Sequence, residues 1–453
     1  MAVPRTARLG CGDPPDLDQR QPARGVSDSD AAARPDDASA PSVEVAASDL
    51  LLSQVVREQS GRIVAALARS LGSLDIAEEA VAEAVEEALR AWRKSGIPPN
   101  PGACLTQAAR HNALDRLRRE KRYREKLAGM VPGVDSESAA PEDAWPDSSA
   151  ELDDRLPLLF GCCHPALAPE AQLALTLRAV CGLTTAQIAR ATFSTEPATA
   201  QRIVRAKRKI GATGIPLRIP DATDRAARLD IVLTIVSVMY NEAHLVAGGD
   251  AAADRDLADD ALWLAGVIAA ALPREAEAHG LLALLLFHRA RESARSVEGE
   301  LVLMADQDRS RWDQTLITRA RAELEQAARL RRPGRWQLHA AIAACHADAE
   351  TAAKTDWLQV LVLYDLLLGY DPSPVVRLNR AVALDRVGAP TAALTEVDAL
   401  EGKLTRTHLW HAVRAHLLRR LGRDDEALAA DLHALELTAN DAERRLLAAR
   451  TGR

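Results

Sequence analysis

Between Asp75 and Trp92 the apolar residues Ala77, Ala80, Val81, Ala84, Val85, Ala88 and Trp92 recur at steps of three and four, a spacing that makes one stripe only on an α-helix. Composition extends that reading to the rest of the chain. Aromatic residues supply 3% of the 453 positions against a hydrophobic share of 47%, so the cores must be built from Ala, Leu and Val. Such a set favours helix over strand. The expected fold is therefore all-α, and the length exceeds one compact domain of about 150 residues.

Breaks in the helical period divide the chain. Residues 1–49, rich in Pro, Asp, Ala and Ser, read as a disordered arm without the apolar segment of a signal peptide. A helical domain is expected over 50–128, interrupted at Gly96-Ile97-Pro98-Pro99-Asn100-Pro101. Residues 129–150 have the polar, acidic, Pro/Gly/Ser-rich composition of a flexible linker. A second small helical domain follows over 151–215, and 216–453 form a long Ala/Leu-rich helical extension. The longest apolar run, Ala261 to Leu272, stops at Pro273. That is short of the roughly 20 residues needed to cross a bilayer, so no membrane partner is expected. Six cysteines without a C-x-x-C pair suit a reducing cytoplasm.

The extension contains an internal repeat. An offset of 34 residues sets Ala381 on Ala415, Leu384 on Leu418, Gly388 on Gly422, Ala393 on Ala427 and Leu394 on Leu428. That period matches the tetratricopeptide (TPR) helix hairpin, in which small residues let paired helices approach. Stacked hairpins make a binding surface rather than an active site. An irregular helical bundle with a chance match is the other reading.

Three constellations could carry chemistry. Opposite the apolar stripe of Asp75–Trp92 stands a ridge of carboxylates, Asp75, Glu79, Glu83 and Glu86 or Glu87, with few cations to offset it. It is either a solvated face or a surface for a basic partner. The segment Gly102–Lys126 pairs a core stripe with Arg110, Arg116, Arg118, Arg119, Arg122 and the amide of Asn112, a combination suited to phosphates and unstacked bases. Pro169–Cys181, a helix capped by Thr184, and Ala198–Ile210 form a helix-turn-helix (HTH). Its second helix would bring Gln201, Arg202, Arg205, Lys207, Arg208 and Lys209 to duplex DNA, with Ile188, Ala189, Ile203, Val204 and Ala206 as core. Cys162-Cys163-His164 lacks zinc-ligand spacing and reads as packing. No enzymatic signature is found, so neither catalytic residues, metal nor cofactor are expected.

Ala77–Trp92, Asn100–Arg122, Leu156–Arg190, Arg202–Pro220 and Arg228–Glu242 together resemble the extracytoplasmic-function (ECF) sigma factors of the sigma-70 superfamily. Within them they resemble the group with a TPR-containing C-terminal extension. The resemblance implies two small sigma domains joined by a linker, and docking on the clamp and flap of bacterial RNA polymerase core. It implies polymerase contacts by Asp75, Glu78, Glu79, Glu83 and Glu87, and minus-ten DNA contacts by Arg110, Asn112, Asp115, Arg116, Arg118, Arg119 and Arg122. Thr199, Gln201, Arg202, Arg205, Lys207 and Arg208 would bind the minus-thirty-five element. The protein would be cytoplasmic, nucleoid-associated when bound to polymerase, with a soluble regulatory partner at the extension. An HTH regulator that binds operator DNA without polymerase, and a TPR scaffold, are the alternative readings.

Overall fold

The computed structural model describes residues 43–128, 155–192, 194–245, 251–297, 300–438 and 440–451. Their order is α1 (Val43–Leu71), α2 (Leu74–Ser95), α3 (Pro101–Ala128), α4 (Arg155–Cys162), α5 (Pro169–Ala179), α6 (Thr185–Ala191), α7 (Glu196–Thr213), α8 (Ala222–Leu245) and α9 (Ala251–Ala271). Then come α10 (Ala276–Ala290), α11 (Gln314–Arg329), α12 (Arg335–Asp348), α13 (Trp357–Leu367), α14 (Pro374–Arg386), α15 (Pro390–Asp398), α16 (His408–Arg420), α17 (Asp424–Leu437) and α18 (Asp441–Thr451). The fold is all-α; among the described residues the strand content is one short antiparallel pair, Ser296–Val297 with Glu300–Leu301. No described helix is long and apolar enough to cross a membrane.

Residues 1–42 of the expected arm and the whole expected linker lie outside the described residues. At Val43 the expectation needs correction, because α1 already begins there. The stretch from Ser42 to Leu52 contains neither Pro nor Gly, so a helix founded on the Leu-rich turn extends backward toward Pro41.

The first module is α1 to α3. Ala77, Ala80 and Ala84 on α2 and Ala109 and Ala113 on α3 are fully buried, letting the helices approach closely around Leu67, Trp92 and Leu105. Ser73 starts α2 by accepting from Ile76 N–H at 3.4 Å, and Gly96, at φ +80°, ends it. The second module is α4 to α7, and the third is α8 to α12. In the third, α10 is buried on nearly all sides. The Glu277 carboxylate caps α12, accepting from Trp336 N–H at 2.9 Å and Gln337 N–H at 3.2 Å.

These three modules share one continuous apolar core, running from Ile63 to Ala340. Helix α1 lies against α4 and α5, which in turn meet α8. A Cβ on Gly61 would fall 2.4 Å from the Val180 carbonyl oxygen, so only glycine permits this approach of α1 to the end of α5. The third module is tied in by Arg228, which donates to the Phe160 carbonyl at 2.6 Å.

From α12 onward the helices form two smaller cores, one of which includes Ile342 of α12. Hairpin α14/α15 is followed by α16/α17, with each helix starting 34 positions after its counterpart. Ala381, Ala393, Ala415 and Ala427 are fully buried, and Gly388 and Gly422 turn the hairpins at φ +92° and +71°. Asp385, 2% exposed, accepts from His416 Nε2 at 3.0 Å and Arg420 Nε at 3.2 Å, bolting one hairpin to the next. Asp385→Ala is expected to cost about 2 kcal/mol through loss of these charge-assisted bonds, read as a lower urea midpoint for the C-terminal helices.

Candidate nucleic-acid interface

The turns that lead into α6 and into α7 are built by local capping. Thr184 Oγ1 accepts from Gln187 N–H at 3.2 Å while the Gln187 side-chain oxygen accepts from Thr184 N–H at 2.8 Å, a reciprocal box. Thr195 Oγ1 accepts from Ala198 N–H at 3.4 Å, and Pro197 fits the first turn, where no intrahelical N–H bond is lost. Helix α7 therefore starts at Glu196, two residues before the expected Ala198. Gly214, left-handed at φ +61°, stops it. Ile188, Ala189, Ile203 and Ala206 are buried as the hairpin's core.

The outer face of α7 presents Gln201, Arg205 and Arg208 to solvent, with Arg202 half-buried beside them. Gln201, Arg202, Arg205 and Lys209 rim a groove of about 410 Å³ whose floor includes Leu167, Ala171 and Ala206. Lys209, expected with the basic C-terminal part of the helix, is exposed one turn after Arg205 on the same face. Two expectations are corrected here. Thr199 is fully buried and faces the hairpin's interior, one turn before Ile203, so it cannot touch a base. Val204, expected in the core, is 45% exposed, because the narrow buried stripe runs through 199, 203, 206 and 210.

On α3, Arg118, Arg119, Arg122 and Asp115 are exposed, and Tyr123 next to them is 66% exposed. Arg118 lies 3.5 Å from Asp115. Arg110 and Asn112 are half-buried, and Arg116 turns back to α2, where it pairs with Glu79 and, at 3.5 Å, with Glu83. The carboxylate ridge is thus already partnered over much of its length. Lys207, on α7, reaches across to Glu78 at 2.7 Å and Asp75 at 3.1 Å, and Arg178 of α5 approaches Glu78 at 3.9 Å. Glu87 is half-buried, with no ion pair among the described residues. Lys207 is the third correction: in this arrangement it faces the first module instead of the solvent where DNA would lie.

Residues 158–210, which span this helix-turn-helix, match the family described as sigma-70, region 4. The chain carries a sigma-70 region 4. Residues 228–328 match a family of unknown function (DUF6596), covering the third module from α8 into α11. An uncharacterized protein of Rhizobium meliloti (strain 1021) is 42% identical over 383 residues, which cover 83% of this chain and 90% of that protein. The two proteins belong to one family. No solved structure matches the chain.

Within region 4, Cys162 and Cys163 are packing residues. Both are fully buried; burial pushes the Cys162 thiol well up and that of Cys163 to about 12, against the bond between Cys163 Sγ and Thr176 Oγ1 at 3.5 Å. Neither is poised as a nucleophile. Among the described residues no group of His, Cys, Asp and Glu is arranged to hold a metal ion. For Lys207, burial lowers the ammonium pKa, but the charges and hydrogen bonds of Glu78 and Asp75 outweigh it and hold the group above its usual range. It is a charged, buried clamp between region 4 and the acidic helix.

Proposed function

We propose that this chain is an RNA polymerase sigma factor of the extracytoplasmic-function type. The single observation that carries the reading is a region 4 whose α7 exposes Gln201, Arg205 and Arg208, in one chain with an acidic helix and an Arg-rich helix. In this reading polymerase core engages the α2 carboxylates. Arg118, Arg119, Arg122 and Tyr123 capture the displaced strand of the minus-ten element, and α7 reads the minus-thirty-five duplex. The subunit acts in the cytoplasm and performs no chemistry itself; polymerase does.

Those two promoter elements are about 25 base pairs apart, roughly 85 Å of duplex. Lys207 and Glu78 are in contact, so the described arrangement cannot serve both elements at once. Residues 129–154, fully extended, reach at most about 90 Å, enough for the two modules to separate. The polymerase-free chain is closed in this reading, and promoter engagement requires its opening. The hairpins repeating at 34 residues support a TPR-like extension that receives a soluble regulatory partner.

Run-off transcription from pooled genomic fragments, with polymerase core and the purified chain, is the test. New starts sharing two spaced elements are expected. Tight duplex binding without core and no new starts would instead favour an operator-binding regulator. Arg205→Ala is expected to lower affinity for the minus-thirty-five duplex about 10- to 100-fold, as for loss of one good base contact, measured by fluorescence anisotropy. Thr199→Ser, at a buried site, should leave it unchanged.

A further inference from the structure

Helix α13 is apolar on two opposite faces, and the fold covers only one of them. Of its residues, Gln359 and Asp365 alone lack a large hydrophobic side chain. The inner face places Val360 and Leu367, both fully buried, in a core with Ile342 of α12 and with Val376 and Ala383 of α14. The outer face carries Leu358, Val362 and Leu366 at steps of four, with Tyr370 in the turn that follows, and all four are between 49% and 65% exposed. A helix that is apolar all round is normally covered all round.

The neighbouring hairpins show what this face carries where water covers it. By their starting positions on α15 and α17, the counterparts of Leu358, Val362 and Leu366 are Thr391, Thr395 and Ala399, then Asp425, Ala429 and His433. All six are exposed, and none is a large aliphatic residue. The stripe is therefore particular to α13 and does not come with the repeat.

Three properties match it to a second copy of itself. The order Leu, Val, Leu reads the same in both directions, so a two-fold axis can lay two α13 helices antiparallel, with Val362 on the axis and Leu358 against Leu366. Charge does not oppose this pairing. Asp365, the one charged residue of α13, is held by Arg380 at 2.6 Å; Arg380 also holds Glu396 at 2.6 Å, and Arg377 lies 3.6 Å from Glu396, so the four charges cancel. The third property is area. The four apolar side chains expose roughly 400 Å² together, the size of a functional patch on a soluble protein. Two copies would bury about 800 Å² through them alone and about 1,000 Å² with the flanking Gln359, Leu361 and Asp365, which suits a weak, reversible dimer.

We propose that the outer face of α13 is a homodimer contact, in which two copies of the chain pair antiparallel about Val362. The contact lies in the C-terminal hairpins and does not depend on the sigma-factor reading.

The test is sedimentation of the full chain, without polymerase or DNA, from about 1 to 100 µM, where a shift from monomer to dimer is expected. Val362→Asp would set two carboxylates on the axis and should weaken the dimer about 100-fold, with an unchanged circular dichroism spectrum because the residue is exposed. Thr395→Asp, at the corresponding place on α15, should leave the dimer intact. Val362→Cys should cross-link to its own counterpart under diamide, beyond any cross-linking of the wild type, whereas Leu358→Cys, which faces Leu366, should not. A chain that stays monomeric at about 100 µM, including one whose α13 face binds an apolar helix of another protein, overturns the proposal. So does a dimer that Val362→Asp does not weaken, and cross-linking by Leu358→Cys without cross-linking by Val362→Cys overturns the antiparallel pairing.

Discussion

Lys207→Met is expected to open the contact between region 4 and the first module, leaving both folded. The Lys207 and Glu78 side chains are each only 14% exposed, so removing the ammonium strands a carboxylate in a place where water cannot replace its partner. One Oε of Glu78 is already buried without an acceptor role, which leaves the second dependent on Lys207 and the longer approach of Arg178. Breaking such a pair by removing one partner costs about 3 kcal/mol, roughly a hundredfold in the ratio of separated to closed forms. Small-angle scattering should show a larger radius of gyration, and, in the proposed function, affinity for polymerase core should rise as the α2 carboxylates are released. An unchanged radius would show that the pair does not hold the closed form. Glu78→Gln should have a smaller effect, because Asp75 still faces Lys207 at 3.1 Å.

The pH dependence of this clamp has a definite sign. A base whose folded-state pKa is raised contributes stability that is fully present below its unfolded value, here 10.5, and loses it as pH rises through the higher folded value. The lysine arm of the closed form should therefore be insensitive to pH between 7 and about 10 and weaken only above that. Scattering across that range checks it.

Gly61→Ala is expected to open the same interface by a different force. The new Cβ would lie 2.4 Å from the Val180 carbonyl oxygen and 3.3 Å from Arg155 Cδ. The arginine can move, but the oxygen belongs to the backbone at the end of α5 and cannot. Forcing a methyl into such a contact costs about 2 kcal/mol. Because the effect is steric, it should persist at high salt, whereas the partly exposed Asp75 arm of the Lys207 clamp is screened. Gly72→Ala is the control: at φ +66° it is strained by about 1 kcal/mol, yet nothing lies within 4 Å, so the closed form should survive. If Gly61→Ala scatters like wild type, α1 does not need the close approach.

Much of this architecture was legible along the chain because its determinants are local. The apolar steps of α2, the Thr184 cap, the Gly and Pro breaks and the offset of 34 residues depend only on neighbours within a turn or two, so helix positions and hairpin repeats followed from residue order. The basic face of α7 was legible for the same reason, through Gln201, Arg202, Arg205 and Arg208. Thr199 was misplaced because a polar residue at the start of a recognition helix looks like a contact until the rotation of that helix against α5 is known. Lys207 sits among arginines that do face solvent, and nothing within α7 distinguishes it.

What the residues determined by themselves was therefore the all-α class, the helix-turn-helix and the repeat. The tertiary structure alone decided which charges meet. Arg116 with Glu79 and Lys207 with Glu78 bring together residues from different helices. The largest separation in these ion pairs is 129 positions, between Glu78 and Lys207. Coulomb interaction depends on distance in space and on access of water, and neither quantity is written in residue order.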